Sequence, residues 1–247
     1  VTAQFIVMSI LVMRILVTKK ENVLKGIQLF EKIPLKYARG ICKIGIPTAL
    51  QGMAYCMISM VLTRMVSGFG AEAIATQRVG GQIESVSWNT ADGFGAALNA
   101  FIGQNYGAGK MDRVKKGYRA SLWTVGIWGL FITFLFVCFP EPISRVFFHE
   151  PLAIATSVGY MIIIGFSEAF MSVELMTVGA LSGLGKTHLC SVISITLTSA
   201  RIPLAILLSG TTLGLLGIWW ALSATSIVKG VVFVAVFYLV VRNMKTM

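Results

Sequence analysis

Long apolar runs alternate with short polar or basic segments along this chain, and run length is the first constraint. A helix needs about 20 predominantly apolar residues to cross a bilayer. Seven runs approach that length, at residues 2–17, 41–66, 73–102, 120–139, 152–181, 188–209 and 215–241. The first reads as the last turns of a span that starts upstream, and the other six read as complete spans. The pattern predicts an all-α polytopic membrane protein. Its main body is a six-helix transmembrane lobe at 41–241, preceded by the end of another transmembrane helix at 1–18. Residues 19–40 form a basic linker and 242–247 a short tail. In the linker, Val23, Ile27 and Phe30 recur at helical spacing, which fits an amphipathic surface helix or a solvated connection equally. Pro47 predicts a kink in the second span, and Arg201 with Pro203 an interruption of the sixth. The segment PEPISRVFFHEP reads as a loop held by its prolines.

Charge sets the orientation. Lys and Arg gather in the linker, in Lys110–Arg119, at Lys186, and at Arg242 and Lys245. The intervening turns, residues 67–71 and 210–214, carry none, and 140–151 has only Arg145. Basic residues accumulate on cytoplasmic connections, so the alternation places these segments and the C-terminus in the cytoplasm. The expected setting is a multi-pass protein of the cell membrane, specifically a bacterial inner membrane. Composition agrees: 56% of the 247 residues are hydrophobic and 13% charged, with net charge +11. A soluble domain would be about a quarter charged. The basic excess therefore marks topology and predicts the lipid bilayer, with no nucleic acid, as partner.

Polar residues within spans are costly in hydrocarbon and are placed for a reason. The third span holds Glu84, Asn89 and Asp92, the fifth Glu168 and Glu174, the sixth Arg201 and the last Lys229. Two readings stand for these groups. Some of the acids bind a coupling ion or cationic substrate in a cavity, or acids and bases pair across the bundle to make one another tolerable. Glu168 favours the first, because its own helix has no basic residue. Glu168 and Glu174 point about 120° apart on a helix, so one can face a cavity while the other faces a neighbour. Gln51 and Tyr55, just after Pro47, are candidates for the same cavity.

The stretch GFGAALNAFIGQNYGAGK, residues 93–110, spends five glycines in eighteen residues. Gly103 and Gly107 stand in the spacing that lets membrane helices pack closely, as do Gly179 and Gly183. Asn99, Gln104 and Asn105 should face protein or a water-filled cavity. With the preceding RVGGQIESVSW and the later GALSGLGKTH, this stretch resembles the second half of a multidrug and toxic compound extrusion (MATE) transporter. The resemblance covers nearly the whole chain but only one of that family's two six-helix lobes, which implies a fragment whose partner is a missing N-terminal lobe.

The resemblance implies a cation-coupled antiporter, driven by sodium or protons, that exports amphipathic and often cationic small molecules. It implies no enzyme activity and no cofactor beyond the coupling ion. A lipid-linked oligosaccharide flippase on a related fold is the alternative. Carrying the family's ion site across residue by residue fails here. The turns past Pro47 hold Gln51 and Tyr55 where an acid is expected, and Met171 stands where the other carboxylate belongs, with Glu168 and Glu174 a turn to either side.

Other motifs give less. ALSGLGKT nearly matches a phosphate-binding loop, but it joins two spans and has no preceding strand. Cys42, Cys56, Cys138 and Cys190 are widely spaced and read as small buried apolar residues, and no Cys/His spacing suits a metal. Trp219 and Trp220 near a span end read as an interfacial anchor.

Overall fold

The structure, a computed structural model, describes residues 2–17 and 35–244. They form helices throughout: α1 (Thr2–Val17), α2 (Leu35–Ser67), α3 (Ala71–Gly107), α4 (Met111–Cys138) and α5 (Pro140–Phe147), then α6 (Pro151–Gly183), α7 (Thr187–Ser199), α8 (Arg201–Ser209) and α9 (Leu215–Asn243). Residues 1–42 and 43–247 make two separate compact units. The second contains the six-helix transmembrane lobe, with α7 and α8 together making one span. Val23, Ile27 and Phe30 of the linker, and Lys245, lie outside the described residues.

The spans run longer than their apolar cores. Helix α2 begins at Leu35, ahead of the expected start at residue 41, and α4 begins at Met111 inside the basic segment. A helix continues past the hydrocarbon because its backbone bonds remain satisfied there. The 140–151 segment corrects the reading as a loop. Pro140 sits in the first turn of α5, where its missing N–H is no loss, and Glu141 and Arg145 pair at 2.6 Å one turn apart. The predicted interruption of the sixth span is present, with Ala200 between α7 and α8. Pro47 is accommodated within α2.

Helix α6 is the centre of the lobe, and three neighbours approach it through glycine. A Cβ at Gly179 would run into the backbone of Gly95 on α3, and one at Gly183 would lie 2.6 Å from the Asn99 carbonyl. On α4, a Cβ at Gly129 would stand 2.6 Å from Ala169 Cα, and on α9 one at Gly230 would stand 2.6 Å from the Phe170 carbonyl. Without a hydrophobic force between helices in lipid, association rests on van der Waals contact, and small residues let the backbones touch. Gly103, opposite Gly183, belongs to this contact; Gly107 does not, since nothing lies within 4 Å of its Cβ position. It is one of the last residues of α3, beyond the helix it was expected to meet.

The connections on the basic side repeat one turn. Lys110 N–H donates to Asn105 O at 2.8 Å and Gly109 N–H to Tyr106 O at 2.9 Å. Lys186 N–H donates to Leu181 O at 3.0 Å and Gly185 N–H to Ser182 O at 2.9 Å. Both are Schellman caps, and Gly109 and Gly185 supply the required positive φ of 72° and 73°. The phosphate-loop likeness of ALSGLGKT is thus a helix terminus.

Two expectations about burial fail for one reason. Cys42, Cys56 and Cys138 are exposed and only Cys190 is buried. The surroundings of a membrane lobe are themselves apolar, so a small apolar side chain gains little by facing inward. Trp219, by contrast, is fully buried and meets Tyr160 edge-on at 5.0 Å, while Trp220 stacks near Phe166 at 6.2 Å. The buried Trp219 indole donates to Gln77 Oε1 at 3.4 Å. It is a core residue, with no part in an interfacial belt.

Gly179→Val should destabilise the protein by about 1–3 kcal/mol or more, because the new side chain collides with rigid backbone. Gly107→Ala should be nearly neutral. Thermal unfolding of the two variants in detergent, followed by loss of the monodisperse peak, checks the contrast; equal melting points would contradict this packing.

Candidate functional site

Apolar clusters occupy the two ends of the lobe. One, around Ile102, Tyr118, Leu181 and Phe237, lies toward Lys110 and Lys186. The others, around Leu62, Val66 and Ile218 and around Tyr160, Ile164 and Trp219, lie toward Gly70 and Gly214. Between them runs a layer of buried polar groups: Ser87, Glu168, Ser172, Glu174, Ser194, Thr198, Arg201, Ser223, Thr225, Ser226 and Lys229. This layer is the candidate site, halfway along the helices that carry it.

The geometry resolves the two readings differently for different acids. Lys229 Nζ donates to Glu174 Oε1 at 2.8 Å, with both side chains under a tenth exposed, which joins α9 to α6. Glu174, expected among the ion ligands, is therefore the partner of Lys229. Arg201, at the start of α8, forms no salt bridge among the described residues. Its Nε donates to Thr225 Oγ1 at 2.9 Å and its terminal NH2 group to Ser226 Oγ at 2.8 Å. Those hydroxyls were not anticipated from sequence, where Thr225 and Ser226 look like ordinary small residues of a span.

Glu168 is different. It is 0% exposed, and neither carboxyl oxygen has a hydrogen-bond partner of good geometry. The polar groups that interact with it are the Ser87 hydroxyl, itself unsatisfied by the same criterion, and the Glu84 carboxyl. Glu84, half-buried, accepts a hydrogen bond from the Tyr160 hydroxyl.

The helix register explains this meeting. Gly80 faces Tyr160, Gly95 faces Leu175 and Gly103 faces Gly183, so each α3 residue lies opposite the α6 residue about 80 positions later. Glu84 and Ser87 consequently face the stretch from Tyr160 to Glu168. Tyr160 and Ser87 were missed in sequence reading; the Gly80/Glu84 and Tyr160/Ile164/Glu168 spacings were the available signal, legible only once the register is known.

Other candidates go elsewhere. Asn89 and Asp92 are exposed, on the side of α3 opposite its buried face, and Asn89 donates to its own helix at Ser85 O, 2.6 Å away. Arg78, Gln82 and Asn99 share that side, giving α3 one exposed polar stripe and explaining why its composition alone does not mark it as a span. Gln104 is also exposed, while Asn105 is half-buried and bonds back to Phe101 O. Tyr55 is 56% exposed and lines a small cavity of about 40 Å³ with Ser59, Thr198 and Arg201. It meets Arg201 there, and Gln51 is half-buried one turn earlier. No group of three His, Cys, Asp or Glu side chains suited to a metal occurs among the described residues.

The MatE family profile matches residues 47–207. The chain belongs to the MatE family. It is 32% identical over 208 residues to a probable multidrug resistance protein NorM of Thermotoga maritima, a match covering 80% of this chain and 43% of that protein. It is 24% identical over 203 residues to an FAD transporter of Shewanella oneidensis, covering 82% and 44%. A crystal structure of MATE in the straight conformation superposes with TM-score 0.86 at 17% identity, covering 98% of this chain and 55% of that one. At that identity the likeness shows the fold. The MatE chain described here spans about half the length of these relatives and is a multi-pass membrane protein.

Lys229→Met should cost about 3–5 kcal/mol, since it strands the Glu174 carboxylate in a buried site. Adding Glu174→Gln should recover most of that loss, because the pair is then replaced by neutral groups. Melting temperatures of the single and double variants test this; a double variant no better than the single would contradict the pairing.

Proposed function

We propose that this chain provides one lobe of a cation-coupled multidrug efflux antiporter, driven by sodium or protons, that exports amphipathic and often cationic small molecules. The observation that carries the reading is Glu168, a carboxyl fully buried in a membrane-spanning helix, with only the Ser87 hydroxyl and the Glu84 carboxyl as polar company and no hydrogen bond of good geometry. Such a group is expensive unless it serves an ion or substrate. Family membership supplies the transport class, and the relatives described as multidrug resistance proteins supply the substrate class.

In this reading two lobes rock about a central site. The polar stripe of α3, from Arg78 to Asn99, needs water or protein beside it in the membrane and lines the pathway facing the other lobe. Binding of the ion at Glu168 and of substrate along the stripe must favour different orientations of the lobes, since only differential affinity shifts such an equilibrium. The protein resides in a bacterial inner membrane with its C-terminus in the cytoplasm. The lipid bilayer, a first lobe and the exported small molecule are its partners.

Ethidium efflux from cells expressing the gene that carries this sequence tests the reading, with sodium and proton gradients collapsed in turn. Wild type should extrude ethidium until its driving gradient is removed, and Glu168→Gln at equal membrane abundance should lose at least about tenfold in rate, the equivalent of about 1.4 kcal/mol. Unimpaired efflux in the variant moves coupling out of this lobe. Absence of efflux in wild type sinks the drug-export reading and favours a flippase of lipid-linked oligosaccharide on the related fold. Topology has its own check: a green fluorescent protein fused after Met247 should fluoresce, and alkaline phosphatase fused there should be inactive. The reverse pair of results would invert the orientation.

A further inference from the structure

Arg201 and Lys229 are the buried cations among the described residues, and they are treated differently. Lys229 holds Glu174 at 2.8 Å. Arg201, 7% exposed, has no carboxylate within ion-pair distance among the described residues. Its Nε and Nη2 are taken by the neutral hydroxyls of Thr225 and Ser226, and its Nη1 donates to nothing among the described residues. Glu84 acts on it electrostatically from beyond contact, and the Glu84 carboxylate takes the Tyr160 hydroxyl. A buried guanidinium held by neutral groups alone is costly, and an anion at its free N–H groups offsets that cost.

Space for such a group is present. Arg201 lines a cavity of about 40 Å³ with Tyr55 and Ser59 of α2 and Thr198 of α7. A single water needs roughly 10–15 Å³, so a group the size of a carboxylate fits. All four polar side chains on the wall can donate a hydrogen bond, one is permanently charged, and no carboxylate lines the cavity. The buried Thr198 hydroxyl has no partner among the described residues. Tyr55 and Ser59 are exposed, so the cavity opens on the α2 side. The span also breaks here: α8 begins at Arg201, which brings the partially positive end of a nine-residue helix to the same wall. Broken membrane helices use such ends to hold the anionic groups of substrates. A cation would find no anionic ligand on this wall and would meet the guanidinium.

We propose, on the basis of the transporter reading above, that this cavity receives the carboxylate of a substrate, so that the compounds exported include acidic or zwitterionic amphipaths as well as cations. Arg201 Nη1 donates to the carboxylate as a charge-assisted hydrogen bond, and the hydroxyls of Tyr55, Ser59 and Thr198 complete its shell. The apolar body of the molecule remains outside the cavity, against the exposed ring of Tyr55. Arg201 stands near the middle of the span formed by α7 and α8, at a depth that lipid headgroups do not occupy, so the anionic group arrives on the transported molecule.

The test uses the purified full-length protein and two dyes with one ring system: rhodamine 19, which carries a free carboxylate, and rhodamine 6G, its ethyl ester. Fluorescence polarisation gives the affinity for each, and their ratio isolates the carboxylate. Arg201→Gln should shift that ratio by about tenfold against rhodamine 19, the scale of one charge-assisted hydrogen bond. Arg201→Lys, which keeps the charge but loses the planar fork, should shift it less. The double variant Tyr55→Phe with Ser59→Ala removes two donors from the exposed wall, should shift the ratio the same way, and decides the matter if Arg201→Gln does not fold. An unmoved ratio in Arg201→Gln or in the double variant overturns the proposal.

A free inorganic anion is the rival occupant. An Arg201-dependent rise in melting temperature on adding chloride, with an unmoved dye ratio, would assign the cavity to that anion and overturn the substrate site. Efflux of rhodamine 6G from cells reads the transporter proposal separately. If cells expel neither dye but the purified protein shows the ratio shift, export is the reading that fails and the carboxylate site stands. If rhodamine 6G is expelled and the ratio does not move, the carboxylate site fails alone.

Discussion

Backbone contact between α3 and α6 is the constraint on which the rest of this lobe depends. In lipid there is little hydrophobic gain from bringing two apolar helices together, so the helices must gain from touching. Gly95, Gly103, Gly179 and Gly183 allow that approach along the second half of both helices. Once the backbones meet there, the register is fixed for the whole length of the pair. Tyr160 is then set over Gly80, and Glu84, Ser87 and Glu168 are brought to one seam. The chemistry at the middle of the lobe follows from packing two to three turns away.

The same helix organises its other neighbours. Gly129 of α4 and Gly230 of α9 each rest on α6 backbone at Ala169 and Phe170, between the two buried acids Glu168 and Glu174. Close approach at that level excludes lipid from the polar layer and carries Lys229 to Glu174. Apolar clusters seal both ends, so the charged groups have only one another, a few hydroxyls and whatever enters from the α3 stripe. A low-dielectric interior makes each of these pairings matter more than it would at a surface. It also makes the unpaired Glu168 the conspicuous exception.

Much of the architecture was legible from the chain. Run length gave the spans, and Arg201 with Pro203 marked the α7–α8 break. The difference at 140–151 arises because proline was read as a loop signal where it serves as a helix start. Burial was harder to read. Cys56 and Cys138 face outward and Trp219 inward, because in a membrane protein hydrophobicity no longer separates surface from core. Asn89 and Asp92 look equivalent to Glu84 in sequence, yet both are exposed where Glu84 is half-buried against α6.

What the sequence by itself determined is therefore the set of membrane-spanning helices and the fact that a few ionisable groups lie within them. Both depend on local composition, which the bilayer reads directly through length and transfer cost. Partner choice needed the tertiary structure. Glu174 and Glu168 sit six residues apart on one helix, and nothing local distinguishes the one that meets Lys229 from the one that forms no salt bridge. That decision belongs to the rotation and register of α6 against α3 and α9, set by glycine contacts between residues that are distant in the chain.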